Sequence, residues 1–240
     1  MFKIFNNFLN WFDDRILPNR CAVCRRSGPT LCPACRARIP RLKIACPLCG
    51  KLSTLGLICD QCRTDTFKFD GVISFGPYET SGLKPALQAL KYQGVKDIGP
   101  KLGKMLGRIL QAEWSKYSRS TNTSLTPLII PIPLHPRRER DRSYNQALLI
   151  AQGVEKISGW PLAAKSLTRH SYQAPSAGLT YDSRRIQKKI YSYHGENLTG
   201  RCIFLIDDII TTGATANIAA LTLKEAGASL IIAATAAQTE

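Results

Sequence analysis

The sequence lacks a long hydrophobic run and is poor in acidic residues. No stretch approaches the roughly 20 uninterrupted apolar residues that a membrane-spanning helix needs, so we expect no membrane span. Only 17 Asp and Glu stand against 33 Lys and Arg among 240 residues, a formal net charge of +16. That excess favours a polyanionic partner, either a nucleic acid or a phosphorylated small molecule. The hydrophobic content of 44% allows a full core and excludes a globally disordered chain.

The first 17 residues lack the small-residue cleavage site of a secretory signal peptide, and polar residues interrupt them: Asn6, Asn7, Asp13 and Asp14. We therefore expect a cytoplasmic protein, in which thiols stay reduced. The apolar residues of this stretch recur at helical spacing: Phe5, Phe8, Leu9, Phe12 and Ile16. This spacing predicts an N-terminal helix that docks the following segment onto the rest of the chain.

Eight of the nine cysteines form four Cys-x-x-Cys pairs: Cys21/Cys24, Cys32/Cys35, Cys46/Cys49 and Cys59/Cys62. Two such knuckles complete a tetrahedral zinc–sulfur shell, so we predict two structural zinc ions rather than a disulfide framework. Sequential pairing of the knuckles is favoured because each set then closes a short loop, and interleaved pairing stays open. The ninth cysteine, Cys202, lies in an apolar run and is expected to be buried.

The composition predicts two parts: an N-terminal helix with a double zinc-ribbon module over residues 1–66, and an α/β domain over 67–240. In the second part, apolar patterning predicts strands at 71–78, 128–132, 202–206 and 229–234. It predicts helices at 83–92, 98–116, 145–158 and 214–226, with a polar loop at 115–126. Strands that alternate with helices indicate a mostly parallel sheet flanked by helices.

The motif that points most directly to chemistry follows the strand at 202–206. Two acids, Asp207 and Asp208, precede a turn that opens a helix; its residues are Ile210, Thr211, Thr212, Gly213, Ala214 and Thr215. Backbone N–H groups and hydroxyls at a helix start can hold a phosphate, and the glycine allows close approach. The carboxylates suit the vicinal hydroxyls of a ribose. The block therefore predicts a site for a ribose 5-phosphate group at the carboxyl end of a strand. The alternative is an ordinary capped helix behind a solvated Asp pair.

Residues 204–215 resemble the loop of type I phosphoribosyltransferases that binds 5-phosphoribosyl-1-diphosphate (PRPP). The cysteine module ahead of it resembles the ComF family of competence-associated proteins. Three further segments match that family: residues 90–92, 130–135 and 142–147. The chain departs from the family in two places, since Ser143 stands where glycine is usual and Gln187 where an asparagine is usual.

The resemblance implies a type I phosphoribosyltransferase-like fold with Mg²⁺-PRPP as its ligand. Asp207 and Asp208 would hold the ribose hydroxyls, and residues 210–215 the 5-phosphate. The diphosphate would lie near a set of basic and turn residues: Lys91, Pro131, Ile132, Pro133, Arg137, Arg138 and Arg142. It also implies a role in DNA uptake during natural transformation, with a helicase-like protein as a partner.

Basic residues cluster in two further regions. The first holds Arg137, Arg138, Arg140 and Arg142. The second runs from 165 to 190 and interleaves tyrosines with Lys165, Arg169, Arg184, Arg185, Lys188 and Lys189. Arginines can neutralise a diphosphate, whereas basic residues among aromatics suit single-stranded nucleic acid. For the second region a merely solvated face is an equal alternative.

We therefore expect a PRPP-binding protein that also binds single-stranded DNA. Phosphoribosyl transfer is one hypothesis for its activity, with the protein positioning and stabilising the charges of the reaction. No residue marks a base-specific acceptor site, so two alternatives stay open: a non-catalytic PRPP-sensing or DNA-binding scaffold, and a phosphoribosyltransferase of nucleotide salvage. A zinc-ribbon regulator on duplex DNA is disfavoured because no recognition helix is evident.

Overall fold

The computed structural model describes residues 20–79, 81–170 and 190–239. Its strands are β1 (Gly71–Pro77), β2 (Leu128–Pro131), β3 (Leu167–Arg169), β4 (Tyr191–Tyr193), β5 (Cys202–Ile210) and β6 (Leu230–Gln238). Four of them form a parallel sheet in the order β1-β6-β5-β2, and β3 pairs with β4 antiparallel. The predicted mostly parallel sheet is confirmed.

Helices cover both faces of this sheet. They are α1 (Pro33–Ala37), α2 (Leu83–Tyr92), α3 (Ile98–Thr121), α4 (Pro136–Arg142), α5 (Gln146–Ser158) and α6 (Ala214–Glu225), with a 3-10 turn at Thr54–Gly56. Along β5, Phe204 and Ile206 pack into the core shared with α2, α3 and α5, whereas Ile203 and Leu205 pack with α6 and the β3–β4 pair. Because β5 is buried on both faces, its sequence reads as a continuous apolar run.

The cysteine module covers the β1 edge of the sheet and contributes to both cores. Leu31, Ile39 and Leu55 pack with α2 and α3 on one face, and Cys46 and Ile58 pack on the other. The backbone joins the module to the strand as well, since Leu42 N–H donates to the carbonyl of Phe75 at 3.1 Å and Ile58 N–H to that of Asp70 at 2.9 Å. A buried acid of α3, Glu113, accepts a hydrogen bond from the backbone of Leu55 at 3.2 Å.

The predicted polar loop at 115–126 is wrong over its first seven residues, because α3 continues to Thr121. The hydroxyls of Ser115 and Thr121 each donate to a carbonyl of the preceding turn, at 2.8 and 2.9 Å. The Tyr117 ring also packs on Trp114 at 5.5 Å. The helix ends at Asn122, whose φ of 50° lies in the left-handed region that asparagine tolerates. The serine and threonine hydroxyls here bond to carbonyls of the helix, so they continue the helix instead of ending it.

Two predicted strands are longer than their apolar runs. β5 continues past Ile206 to Ile210, and β6 continues to Gln238. The reason is their mutual pairing, since Asp207 lies opposite Thr235 and Ile210 opposite Gln238. The two acids therefore stand on the strand itself and not in the turn after it.

The first predicted basic cluster, after residue 136, is helical and forms α4.

Some predictions fall outside the described residues. These are the N-terminal helix at 2–17 and most of the second basic region, including Arg184, Arg185, Gln187, Lys188 and Lys189. Within the part of the chain that the structure describes, no helix combines the length and the apolar character needed to cross a membrane.

Candidate functional site

The eight knuckle cysteines form two quartets in sequential order, Cys21/24/32/35 and Cys46/49/59/62. In each quartet the four Sγ atoms lie within 4.8 Å of one another. The Sγ atoms of Cys24 and Cys32 are 3.9 Å apart, and those of Cys49 and Cys59 are 3.7 Å apart. A tetrahedron of sulfurs about 2.3 Å from zinc has edges of about 3.8 Å, so both quartets fit the ion. Sequential pairing is thereby confirmed over interleaved pairing.

Both quartets have the character of structural zinc sites. Among the described residues no histidine or acid joins either quartet, and four thiolates close the coordination shell. Each leading knuckle turns through a left-handed residue, Arg25 with φ 63° in the first and Gly50 with φ 74° in the second. The turns are closed by hydrogen bonds from Arg25 N–H to Cys21 and from Gly50 N–H to Cys46, both 2.9 Å long.

The predicted phosphate loop connects β5 to α6. Residues 210–215 line a cavity of about 50 Å³ together with Asp207, Ile132 and Thr235. Gly213 has a φ of 76° and stands at the N-terminal cap of α6, while Thr211 and Thr212 are exposed. Free amides at the start of a helix and nearby hydroxyls are groups that can bind a phosphate.

The two carboxylates beside this loop differ in their surroundings. Asp208 is 7% exposed, and its Oδ2 lies 2.9 Å from Nζ of Lys91, at the end of α2. Asp207 accepts a hydrogen bond from the backbone N–H of Asp208 at 2.8 Å. Burial first, and then the neighbouring Asp208 charge, raise the pKa of Asp207 to about 7, against the opposing charges of Lys91 and Arg169. Lys91, which the sequence assigns to a diphosphate, thus lies against an acid in this structure.

The predicted diphosphate turn lies at the same edge of the sheet. β2 ends at Pro131, and the next residue, Ile132, lines the cavity of the phosphate loop. The side chain of Asn145 holds this turn by donating to the carbonyl of Ile132 at 3.0 Å, and it caps α5 by accepting from Ala147 N–H at 3.0 Å. The turn that contains Pro133 is therefore tied to the start of α5 before any ligand binds.

The arginine cluster lies on α4, directly after this turn. Arg137, Arg138 and Arg140 are exposed, and the Arg142 guanidinium lies 5.2 Å over the ring of Tyr92. The next residue, Ser143, has a φ of 63°, a left-handed conformation that glycine adopts more readily than serine. Further on, the Tyr144 hydroxyl donates to the carbonyl of Leu90, and Lys96 Nζ lies 5.0 Å over the Tyr144 ring. The turn after α4 is thus fastened to the end of α2.

Two residues near this edge were not predicted as functional. Among the described residues, Tyr191 Oη and Gln146 Nε2 are buried polar atoms without a hydrogen-bond partner. Burial raises the pKa of Tyr191 to about 12. The Arg169 charge opposes this rise, and the Asp207 charge adds to it. The Arg169 guanidinium lies 5.6 Å over the Tyr191 ring. Gln146 falls within the matching segment 142–147 and Tyr191 follows the second basic region, but what distinguishes them is an unmet hydrogen bond in the folded state.

The described fold and sites define an α/β protein with a parallel sheet, a double zinc ribbon and an exposed loop that opens a helix at the carboxyl edge of the sheet. The family described as "Double zinc ribbon domain" matches residues 12–63. A solved structure, "Structure of the allosteric regulatory enzyme of purine biosynthesis", is 20% identical with a TM-score of 0.35. It covers 57% of this chain, and this chain covers 25% of it.

Curated relatives match over most of the chain. "Competence protein ComFC" of Bacillus subtilis is 28% identical over 82% of this chain and 79% of its own length. "DNA utilization protein YhgH" of Escherichia coli is 26% identical over 89% and 95%, and "Competence protein F" of Haemophilus influenzae is 28% identical over 87% and 92%. Together with the double zinc ribbon, these relatives confirm the resemblance to the ComF family that the sequence shows.

Proposed function

We propose that this protein binds PRPP at the carboxyl edge of its sheet and single-stranded DNA at the adjoining basic surface, as part of DNA uptake. The competence and DNA-utilization names of its relatives support the role in DNA uptake. The observation that carries PRPP binding is the convergence of three elements at one edge: the loop at 210–215, the Asp207–Asp208 pair and the turn at Ile132.

Each part of PRPP has a chemical counterpart there. The loop amides and the hydroxyls of Thr211 and Thr212 suit the 5-phosphate, and the carboxylates suit the ribose diol. Lys91 and the α4 arginines are cations for the diphosphate, and a Mg²⁺ carried by that group would neutralise part of its charge. Carboxylate oxygens such as those of Asp207 fit Mg²⁺, which prefers oxygen ligands.

The same proposal keeps the division of the chain at residues 66 and 67, a cytoplasmic location and a helicase-like partner protein. PRPP binding is proposed without a commitment to transfer. Release of diphosphate in the presence of a panel of bases separates a phosphoribosyltransferase from a PRPP-binding scaffold.

Calorimetry with PRPP and Mg²⁺ tests the ligand site. The double variant Asp207→Ala/Asp208→Ala is expected to bind PRPP at least tenfold more weakly, because it removes both acceptors for the ribose hydroxyls. Asp141→Ala, at an exposed acid of α4, is the matched control and keeps the parent affinity. Undiminished affinity in the double variant would rule out the proposed ribose contacts.

Oligonucleotide binding at several salt concentrations tests the DNA surface. Replacing Arg137, Arg138, Arg140 and Arg142 by alanine is expected to weaken binding and to flatten its dependence on salt, because fewer phosphates are neutralised. The control replaces two exposed arginines of α3, Arg108 and Arg119, and leaves the salt slope nearly unchanged. An unchanged slope in the α4 variant contradicts this assignment.

A further inference from the structure

A second cavity adjoins the phosphate loop, and apart from that loop its lining residues have no role in the site described above. It measures about 200 Å³ and shares the segment 210–213 with the smaller cavity beside Asp207. The rest of its lining comes from the second cysteine quartet, the segment before β1 and the ends of two strands: Pro47, Leu48, Ile58, Phe67, Phe69, Val72 and Gln238. A ligand that fills both cavities therefore has a phosphate and an apolar part side by side.

The apolar part of this cavity is aromatic and partly open. Phe67 is half-buried, and its ring centroid lies 5.4 Å from that of the buried Phe69 at an interplanar angle of 47°. Phe69 packs under the phosphate loop, 3.3 Å from the position a Cβ would take at Gly213. Leu48, at the tip of the knuckle, is 47% exposed although it is large and apolar. Exposed apolar groups around a concave site mark a place where a ligand or partner binds.

The walls are fixed by hydrogen bonds. Asn217, in the first turn of α6, accepts from Lys68 N–H at 2.6 Å and donates to the carbonyl of Thr66 at 2.9 Å. It thus holds the segment that carries Phe67 against the start of the helix that carries the phosphate loop. The opposite wall is the zinc knuckle, where Cys46 N–H donates to the carbonyl of Lys51 at 2.8 Å. Such a site is largely formed before its ligand arrives.

We propose that this cavity holds one nucleobase of single-stranded DNA, with the phosphate attached to that nucleotide on the loop at 211–213; this rests on the proposed function. Its volume is below the ~300–1,000 Å³ of pockets that enclose a drug-sized molecule, so it suits a single ring system. A base stacks on aromatic side chains regardless of sequence. Gln238, which also lines the cavity, supplies an amide that can bond to the edge of the base.

The test compares three probes on the full zinc-loaded chain: an oligodeoxythymidine, an abasic oligomer of equal length, and ribose 5-phosphate. Phe67→Ala is expected to weaken binding of the oligodeoxythymidine about tenfold while leaving the other two affinities unchanged. Phe67→Tyr keeps the ring and the parent affinity. Leu52→Ser is the matched control, since Leu52 is 72% exposed on the same ribbon but does not line the cavity. Excess ribose 5-phosphate is expected to weaken oligonucleotide binding to the parent, because both phosphates use the loop.

Four outcomes count against this inference. Equal affinity of Phe67→Ala and the parent for the oligodeoxythymidine, with ribose 5-phosphate still bound, overturns the nucleobase site alone. An equal loss on the abasic oligomer, or no competition by ribose 5-phosphate, also overturns it. Failure of the parent to bind ribose 5-phosphate contradicts the proposed phosphate site, and the inference falls with it.

Discussion

The adjacent acids Asp207 and Asp208 occupy one strand but have different electrostatic partners. Asp208 pairs with Lys91 at 2.9 Å, so its charge is compensated within the protein. Asp207 faces the cavity of the phosphate loop, and its burial and the Asp208 charge raise its pKa to about 7. An acid held in this way makes the ligand-free fold less stable when it ionises, which is a common property of binding sites.

This arrangement predicts how stability depends on pH. The pKa of Asp207 is about 7 in the folded protein against 3.8 normally, so the folded state binds the proton more tightly than the unfolded state. Stability is therefore expected to fall as pH rises from about 4 through 7, by on the order of 4 kcal/mol. Asp207→Asn removes this loss and is more stable than the parent at pH 8, as urea unfolding at pH 5.5 and 8 would show.

The difference between parent and variant isolates this carboxyl from other titrating groups, including the zinc thiolates. Asp65→Asn, at an exposed acid, is the matched control and leaves the pH dependence unchanged. If Asp207→Asn and the parent lose the same stability between the two pH values, the pKa of Asp207 is not raised.

Among the elements, α3 and α5 pack with their backbones in close contact. Gly99, Gly103 and Gly107 recur every four residues along one face of α3, which crosses α5 at Gly153. A Cβ at Gly103 would lie 2.0 Å from the carbonyl oxygen of Ile150, and one at Gly153 would lie 2.4 Å from that of Pro100. The obstructing atoms are backbone, so the helices can accommodate a side chain there only by moving apart.

Gly103→Ala is therefore expected to destabilise the protein by about 3 kcal/mol or more, although alanine favours helices. Gly107→Ala is the control for a milder clash, because the atoms nearest to its added Cβ would lie 3.2–3.3 Å away and need to move less. Chemical denaturation of both variants measures the difference in unfolding free energy. A Gly103→Ala protein as stable as Gly107→Ala would show that α3 and α5 do not cross this closely.

Local sequence patterns predicted those elements whose boundaries are set locally. The patterns at 83–92 and 145–158 gave correct helices, the second beginning one residue later than predicted, at Gln146. The extension of β5 through Asp207 could not be predicted, because it depends on pairing with β6, and the helical Thr121 depends on its bond to Tyr117. The loop at 211–215 and the quartets were predictable because their residues are close in sequence. The pairing of Lys91 with Asp208 was not, since it joins residues far apart in the chain.

At the scale of the whole molecule, the positive charge is unevenly distributed. Eight thiolates and two Zn²⁺ together contribute −4, which lowers the formal net charge from +16 to +12. Residues 202–240 carry one Lys against four acids, so the segment that holds the phosphate loop has a net charge of −3. The proposed anion binding at that loop therefore depends on backbone amides and on cations from other elements, such as the arginines of α4. This dependence makes the site a property of the assembled fold and not of its own segment.

The zinc ribbons are also part of that assembly. Cys21 and Cys35 belong to the core that contains α2 and α3, and Cys46 belongs to the core on the other face of the sheet. Trp114 and Trp160 lie in the first of these cores, and the Trp160 ring stacks on Phe204 of β5 at 4.9 Å. Loss of zinc should therefore weaken the sheet as well as the ribbons, because the free energy of zinc binding adds to the free energy of unfolding of everything that unfolds with the site.

Cys35→Ser tests this coupling in a Trp11→Phe background, in which only the two core tryptophans fluoresce. The variant is expected to hold one zinc in place of two and to lower the tryptophan-monitored Tm by about 10 °C or more. Cys202→Ala is the control, since Cys202 is buried outside both quartets and its loss leaves both zinc ions bound. If Cys35→Ser loses zinc while the tryptophan transition stays at the parent temperature, the ribbon folds independently of the sheet. A drop in that transition means instead that the ribbons and the sheet unfold as one cooperative unit, as their shared cores require.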